Sequence, residues 1–211
     1  MCNHFETESC RLCGAQGNFF RPGYHICQNC GGIFMVNSEI LPFSKEKARY
    51  DTHNNDVNDP GYQRFVSPVV ERVKARCSKD DVGLDFGAGP GPVISSLLSQ
   101  AGYNIEQYDP YYYNNPQLLE KKYPYIVCCE VIEHFNNPCK SFELLRNLVE
   151  PGGEIYIMTL LYSKDIDFDT WFYRNDETHV FFYQAKTLEW IKNNFAFSRL
   201  EIEKRLITFA G

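Results

Sequence analysis

From residue 82 onward, short apolar runs alternate with stretches whose apolar positions recur every three to four residues. Val82 to Phe86 is too short for a helix and is bounded by turn residues, which predicts a buried strand. Pro92 to Gln100 reads as a helix, Asn104 to Tyr108 as a second strand and Tyr125 to Cys129 as another. Ser141 to Leu148 is helical, Pro151-Gly152-Gly153 is a turn, Glu154 to Thr159 is a strand and Thr187 to Asn194 a helix. Two closing segments, 197–203 and 205–209, predict an antiparallel hairpin. This alternation argues for an α/β protein with a mostly parallel sheet and helices on both faces. Upstream, Phe65, Val66, Val69, Val70 and Val73 fall at helical spacing within 62–76, and Pro68 starts or kinks that helix.

The N-terminal part has a different pattern. Cys10-Arg11-Leu12-Cys13 and Cys27-Gln28-Asn29-Cys30 are two Cys-x-x-Cys pairs separated by thirteen residues. Such spacing forms two knuckles that close a tetrahedral thiolate site, so Cys10, Cys13, Cys27 and Cys30 are the expected ligands. Gly14, Gly31 and Gly32 follow the pairs and suit turns whose amides point at sulfur. Segments 18–21 and 24–26 read as short strands around Arg21-Pro22-Gly23. The pattern predicts a small zinc ribbon with a closed, structural site; iron in a rubredoxin-like site is the alternative metal. About thirty residues bury too little core to fold unaided, so the metal supplies folding energy. His4 and His25 are spare. The chain thus divides into a ribbon (1–37), a connecting segment (38–68) and an α/β domain (69–211).

The connecting segment is helical over 44–50 and polar and turn-rich over 51–61. It reads either as a solvated linker or, because Tyr50, His53 and Asn54 crowd together before the main domain, as a lid over a cofactor.

Composition narrows the function. The chain has 211 residues, net charge −6 and no long basic run, which does not advertise a large phosphate-binding surface. The first residues form no apolar signal segment, and no stretch approaches 18 apolar residues. A cytoplasmic protein with no membrane partner is expected. Nine cysteines in a reducing compartment are metal ligands and free thiols. Aromatics make up 15% of residues, and part of that excess lines a pocket.

The chemistry centres on Asp85-Phe86-Gly87-Ala88-Gly89-Pro90-Gly91. A strand breaking into glycines ahead of a helix lets the backbone approach a nucleotide-like ligand. A dinucleotide site needs a third glycine where Pro92 stands, and Pro90 and Pro92 remove N–H donors from the helix start. The strand-end carboxylate of Asp85 suits an amine-bearing cofactor better. Asp109 ends the second strand, placed to accept ribose hydroxyls.

With Tyr108-Asp109-Pro110, the run Cys128-Cys129-Glu130-Val131-Ile132-Glu133-His134-Phe135 followed by Pro138, and Pro151-Gly152-Gly153 before a strand, the chain resembles class I S-adenosylmethionine-dependent methyltransferases. The similarity covers about Val69 to Gly211 and extends to bacterial proteins of methyltransferase types 11, 12 and 23. Bacterial proteins with this ribbon-plus-methyltransferase layout resemble nearly the full length. The resemblance implies a Rossmann-like, mostly parallel seven-stranded sheet with one antiparallel strand near an edge. The chain between Asp109 and Tyr125 is too short for the usual helix, strand and loop, so the third strand is degenerate or absent, and Tyr111, Tyr112 and Tyr113 are candidates to cover the adenine instead. By resemblance, Gly87, Ala88 and Gly89 admit the methionine end of S-adenosylmethionine, Asp85 anchors its amine, Asp109 and Pro110 take the ribose, and Cys129, Glu130 and Tyr50 border the cofactor.

The acceptor is not named by any motif. Candidate bases are His134, just past the fourth strand, His179, in the mixed aromatic and charged run 171–183, and His53, if the lid forms. A small molecule is favoured. RNA stays open, because some ribosomal RNA methyltransferases carry an N-terminal zinc ribbon, although net charge −6 argues against it. A ribbon-bearing interaction protein without activity is the non-enzymatic alternative. A Lys/Arg belt around the cofactor-side rim would favour RNA, and an aromatic pocket a small acceptor.

Overall fold

The computed structural model describes residues 8–52 and 56–211; His4 and His53 lie outside them. In chain order the elements are β1 (Gly17–Arg21), β2 (Tyr24–Cys27), β3 (Ile33–Met35), α1 (Phe43–Tyr50), α2 (Pro60–Arg76), β4 (Val82–Phe86), α3 (Val93–Gln100), β5 (Asn104–Tyr108), β6 (Tyr123–Cys129), α4 (Pro138–Leu148), β7 (Val149–Met158), β8 (Phe181–Phe182), α5 (Ala185–Asn194), β9 (Arg199–Glu203) and β10 (Leu206–Ala210).

Among the described residues, six strands form the main sheet in the order β5-β4-β6-β7-β10-β9. β4 pairs in parallel with β5 and β6, and β6 with β7. β10 runs antiparallel to both β7 and β9, which makes it the single reversed strand, one place in from the edge. The third strand of a seven-stranded sheet is absent among the described residues. An isolated Asp109–Tyr113 bridge and one 3-10 turn, Pro116–Glu120, span the gap from β5 to β6. Too little chain is available there for a crossover helix and a strand.

Local chemistry sets the helix ends. Asp59 caps α2 by accepting from Gly61 N at 2.8 Å, with Pro60 in the first turn. Pro68 sits inside α2 and cannot donate to the Arg64 carbonyl; the Ser67 hydroxyl fills that acceptor at 2.8 Å. The valines at 66, 69, 70 and 73 are buried against the sheet, each contributing roughly 1.5–3 kcal/mol. Asn137 caps α4 through Lys140 N, and Gln184 with Thr187 forms a reciprocal capping box on α5.

The ribbon is not a free appendage. It carries a third strand, β3, that the sequence did not announce, and β3 pairs antiparallel with β8 from the far end of the chain. Cys10, Leu12, Cys27, Cys30 and Phe34 share one apolar core with Phe181, Tyr183 and the sheet. Gly32 marks the closest approach, since a Cβ there would strike the Phe181 ring. Gly32→Ala is therefore expected to cost about 1–3 kcal/mol by overpacking. The loss reads as a melting temperature lower by roughly 2–4 °C per kcal/mol. An unchanged melting curve would contradict this account of the junction.

Candidate functional site

At the carboxyl end of β4 the backbone enters the left-handed region at Gly87 (φ +80°) and Gly89 (φ +64°). Glycine alone adopts this without strain, and a Cβ at Gly87 would press into Val131. The amides of Gly87 and Ala88 both donate to the Tyr108 carbonyl, at 2.8 and 3.2 Å, which ties the loop to β5. Asp85 is buried; its Oδ2 accepts from Ser95 Oγ at 2.7 Å, and burial pushes its carboxyl up to about 6. Asp109 is also buried and organises the loop itself. Its Oδ2 accepts from Gly89 N at 3.0 Å, and its Oδ1 from the amides of Tyr111 and Tyr112 at 2.8 and 3.1 Å.

A second wall comes from α1. Glu46 accepts from the hydroxyls of both Tyr50 and Tyr111, at 2.7 and 2.9 Å, and Asp51 accepts from Tyr112 at 2.7 Å. On the other flank Arg49 pairs with Asp176 at 2.8 Å. α1 is thus strapped to the tyrosines after Asp109 on one side and to the 171–180 segment on the other. Tyr111 and Tyr112 reach the cavity, while Tyr113 serves the bridge to Asp109 and does not line it.

At the end of β6, Cys129 and Glu130 line the cavity, with Glu130 at φ +53°. Glu130 Oε1 accepts from Arg205 at 2.8 Å and Oε2 from the Tyr173 hydroxyl at 3.2 Å. Beyond it, His134 and His179 come together with ring centroids 4.6 Å apart, edge to face. His134 Nδ1 lies 2.9 Å from the Thr178 carbonyl and His179 Nδ1 2.6 Å from the Tyr173 carbonyl. A carbonyl only accepts, so each Nδ1 carries its proton, and in the neutral ring Nε2 holds the lone pair. Tyr50 places its ring 5.3 Å from that of His134.

Sequence reasoning missed Glu133 as a site residue. It lies beside His134 and is fully buried. Its carboxyl accepts from Thr159 Oγ1 at 3.1 Å and makes a short hydrogen bond with the Tyr173 hydroxyl. A carboxylate directly after the apolar pair Val131-Ile132 was the available signal.

These groups surround one cavity of about 660 Å³, within the ~300–1,000 Å³ of small-molecule sites. Nine aromatic side chains line it, from Phe43 and Tyr50 to Tyr112 and Phe135, together with Glu46, Asp85, Asp109 and Glu130. No Lys or Arg lines it among the described residues. An amine-bearing nucleoside-type group fits the glycine-loop end, where the buried Asp85 carboxyl lines the cavity and no Cβ at Gly87 or Gly89 obstructs the backbone.

The ribbon brings Cys10, Cys13, Cys27 and Cys30 together, with their sulfurs all within 4.8 Å of one another. Cys10 and Cys30 lie 3.6 Å apart, Cys13 and Cys27 3.3 Å, and Gly32 N donates to Cys30 Sγ at 3.4 Å. Gly14 and Gly31 take φ of +73° and +80° to turn the knuckles. The donor set fits one tetrahedral soft cation with no position left for substrate. None of the four lines the cavity. Among the described residues, no helix is long and apolar enough to cross a membrane.

Residues 60–201, well over half of the chain, match a family model described as a methyltransferase domain. A ubiquinone biosynthesis O-methyltransferase from Erwinia tasmaniensis is 28% identical over 92 residues, covering 44% of this chain and 38% of that protein. Its counterpart from Serratia proteamaculans aligns with the same identity and coverage. The match therefore spans less than half the length of these curated relatives. Human N-acetylserotonin methyltransferase, solved with S-adenosylmethionine, superposes with a TM-score of 0.55 at 13% identity, covering 80% of this chain and 57% of that one. An O-methyltransferase family protein from Burkholderia thailandensis gives 0.51 at 11% identity, covering 79% and 58%. At such identities the likeness is one of fold.

Proposed function

The chain belongs to the methyltransferase-domain family, and from that premise we propose that it moves a methyl group from S-adenosylmethionine to a small-molecule acceptor held between the glycine loop and the His134–His179 pair. The observation that carries the acceptor class is the cavity wall: aromatic and acidic, with no Lys or Arg among the described residues. A polyanionic RNA strand needs cationic contacts along its path. A planar or apolar small acceptor needs the aromatic faces that are present. The relatives named for ubiquinone biosynthesis support a small acceptor.

The chain's own residues divide the work. Asp85 holds the amine of the donor, Gly87, Ala88 and Gly89 let its methionine end approach, and Asp109 with Pro110 faces the ribose. Tyr111 and Tyr112 cover the base in place of the missing third strand. Cys129 and Glu130 border the reacting methyl, and Tyr50, carried by the strapped α1, closes the cavity as a lid. When bound, S-adenosylmethionine supplies an electrophilic methyl on a sulfonium. The His134–His179 end aligns the acceptor and is where its proton is drawn off. His53 lies outside the described residues and carries no role here. The four-cysteine cluster holds structural zinc.

Titration calorimetry with S-adenosylhomocysteine tests the donor site: binding is expected, and no heat at any concentration would remove the enzymatic reading. The pH dependence is specific. Burial favours the protonated form of Asp85, so the carboxylate that attracts an amine predominates only above about 6. At one pH unit below, affinity is expected to fall about tenfold. Asp85→Asn is expected to bind weakly and without this dependence; a flat profile in the unsubstituted protein would refute the assignment.

A further inference from the structure

We propose that Ser95 is a positioning residue of the donor site: from the first turn of α3 its hydroxyl holds one oxygen of the Asp85 carboxylate, so that this group meets the donor's amine oriented and ionised. The inference rests on the reading of Asp85 given above and names the residue through which that carboxylate works.

Ser95 departs from the pattern around it. α3 turns Val93, Ile94 and Leu98 into the core, and Ser95 is buried beside them with no exposed surface. Alanine there would be the better helix former and would leave no polar atom to satisfy. A buried helical serine often returns its hydroxyl to the carbonyl four residues back. Ser95 Oγ instead crosses to β4 and donates to Asp85 Oδ2 at 2.7 Å.

Among the described residues this is the one side-chain hydrogen bond made to Asp85, and no Lys or Arg lines the cavity to balance its charge. The other groups that face the carboxyl do not stabilise its ionised form. Asp109, from the end of β5, is a like charge. Tyr62 from α2 and Cys128 and Cys129 from β6 are held neutral, by burial first and by the neighbouring acids after it. Burial pushes the Asp85 carboxyl up to about 6; the hydroxyl and amide of Ser95 draw it back down, and Asp109 adds to the rise. A buried carboxylate without a cation depends on each hydrogen bond it accepts. Without Ser95 the carboxyl keeps its proton to higher pH, and a neutral acid has no ionic hold on an ammonium group.

The pH profile of S-adenosylhomocysteine affinity, measured by calorimetry on the full chain, tests the role. In Ser95→Ala the midpoint is expected to move up by roughly one unit, the effect of losing a hydrogen bond to a charged group. Affinity then falls about tenfold near pH 5 and stays close to the parent's near pH 8. Ser95→Thr keeps the hydroxyl and is expected to keep the parent's midpoint. An unchanged midpoint in Ser95→Ala, or a loss of equal size at every pH, would overturn the proposal, because a purely structural serine gives one or the other. Carbon-13 NMR of the ligand-free protein separates this from the donor reading. The Asp85 carboxyl resonance, identified by its absence in Asp85→Asn, is expected to titrate roughly one unit higher in Ser95→Ala. A protein that binds no S-adenosylhomocysteine defeats the donor site, while an Asp85 titration unmoved by Ser95→Ala defeats this inference alone.

Discussion

Cys30→Ser is expected to release the ribbon's metal and, with it, nearly all methyl transfer. The size of the effect follows from how the ribbon is joined to the rest. Apparent binding energies of structural zinc in small peptides are about 10–16 kcal/mol. That matches or exceeds the ~5–15 kcal/mol by which whole domains are stable. Here the loss does not stay local. Arg11, between Cys10 and Cys13, donates to the Met35 carbonyl at 2.7 Å and to the Val180 carbonyl at 2.9 Å. Met35 N also donates to Val180 O, at 3.0 Å. Gln184 donates to Gly31 O at 2.5 Å, and Phe34 stacks on Phe181. The segment 180–184 that follows His179, with β8 inside it, is therefore held by the ribbon. Metal analysis of the purified variant, a melting curve and a transfer assay check the prediction together. A metal-free variant that melts and turns over like the parent would show that the cysteines are only packing.

His179→Ala is expected to lower kcat by about 10²–10⁴-fold, the usual contribution of a group that handles a proton in the transition state. Affinity for S-adenosylhomocysteine should stay within a factor of about two, because the proposed donor contacts are those of Asp85 and the glycine loop. The contrast is the test. A parallel loss of donor affinity would mean that His179 supports the fold of the whole cavity, and full activity would remove the histidine end from the chemistry.

Much of this was legible in the sequence because it rests on local rules. The strand-to-glycine transition at Phe86–Gly87 needed only chain neighbours to be read, and both glycines adopt the positive φ that their type suggests. The short span after Asp109 announced the missing strand, since chain length bounds what can be built. The paired cysteines announced their cluster by spacing. What stayed hidden was long-range. Nothing near Phe181 says that it will pair with Phe34, far upstream in the chain. The ribbon therefore read as a separate module, when its core is continuous with the sheet. Glu133 was hidden for the same reason: its burial and its link to Tyr173 depend on a loop that returns some forty residues later. Asp109 was read for a ligand contact, and the structure adds a second duty, holding three backbone amides of the loop it faces.

The acceptor class and the donor are tested together by one measurement. The protein is incubated with methyl-labelled S-adenosylmethionine and a whole-cell extract, and the products are separated into small-molecule, RNA and protein fractions. Label is expected in the small-molecule fraction, abolished by His179→Ala and resistant to ribonuclease. Label confined to RNA or protein would contradict it.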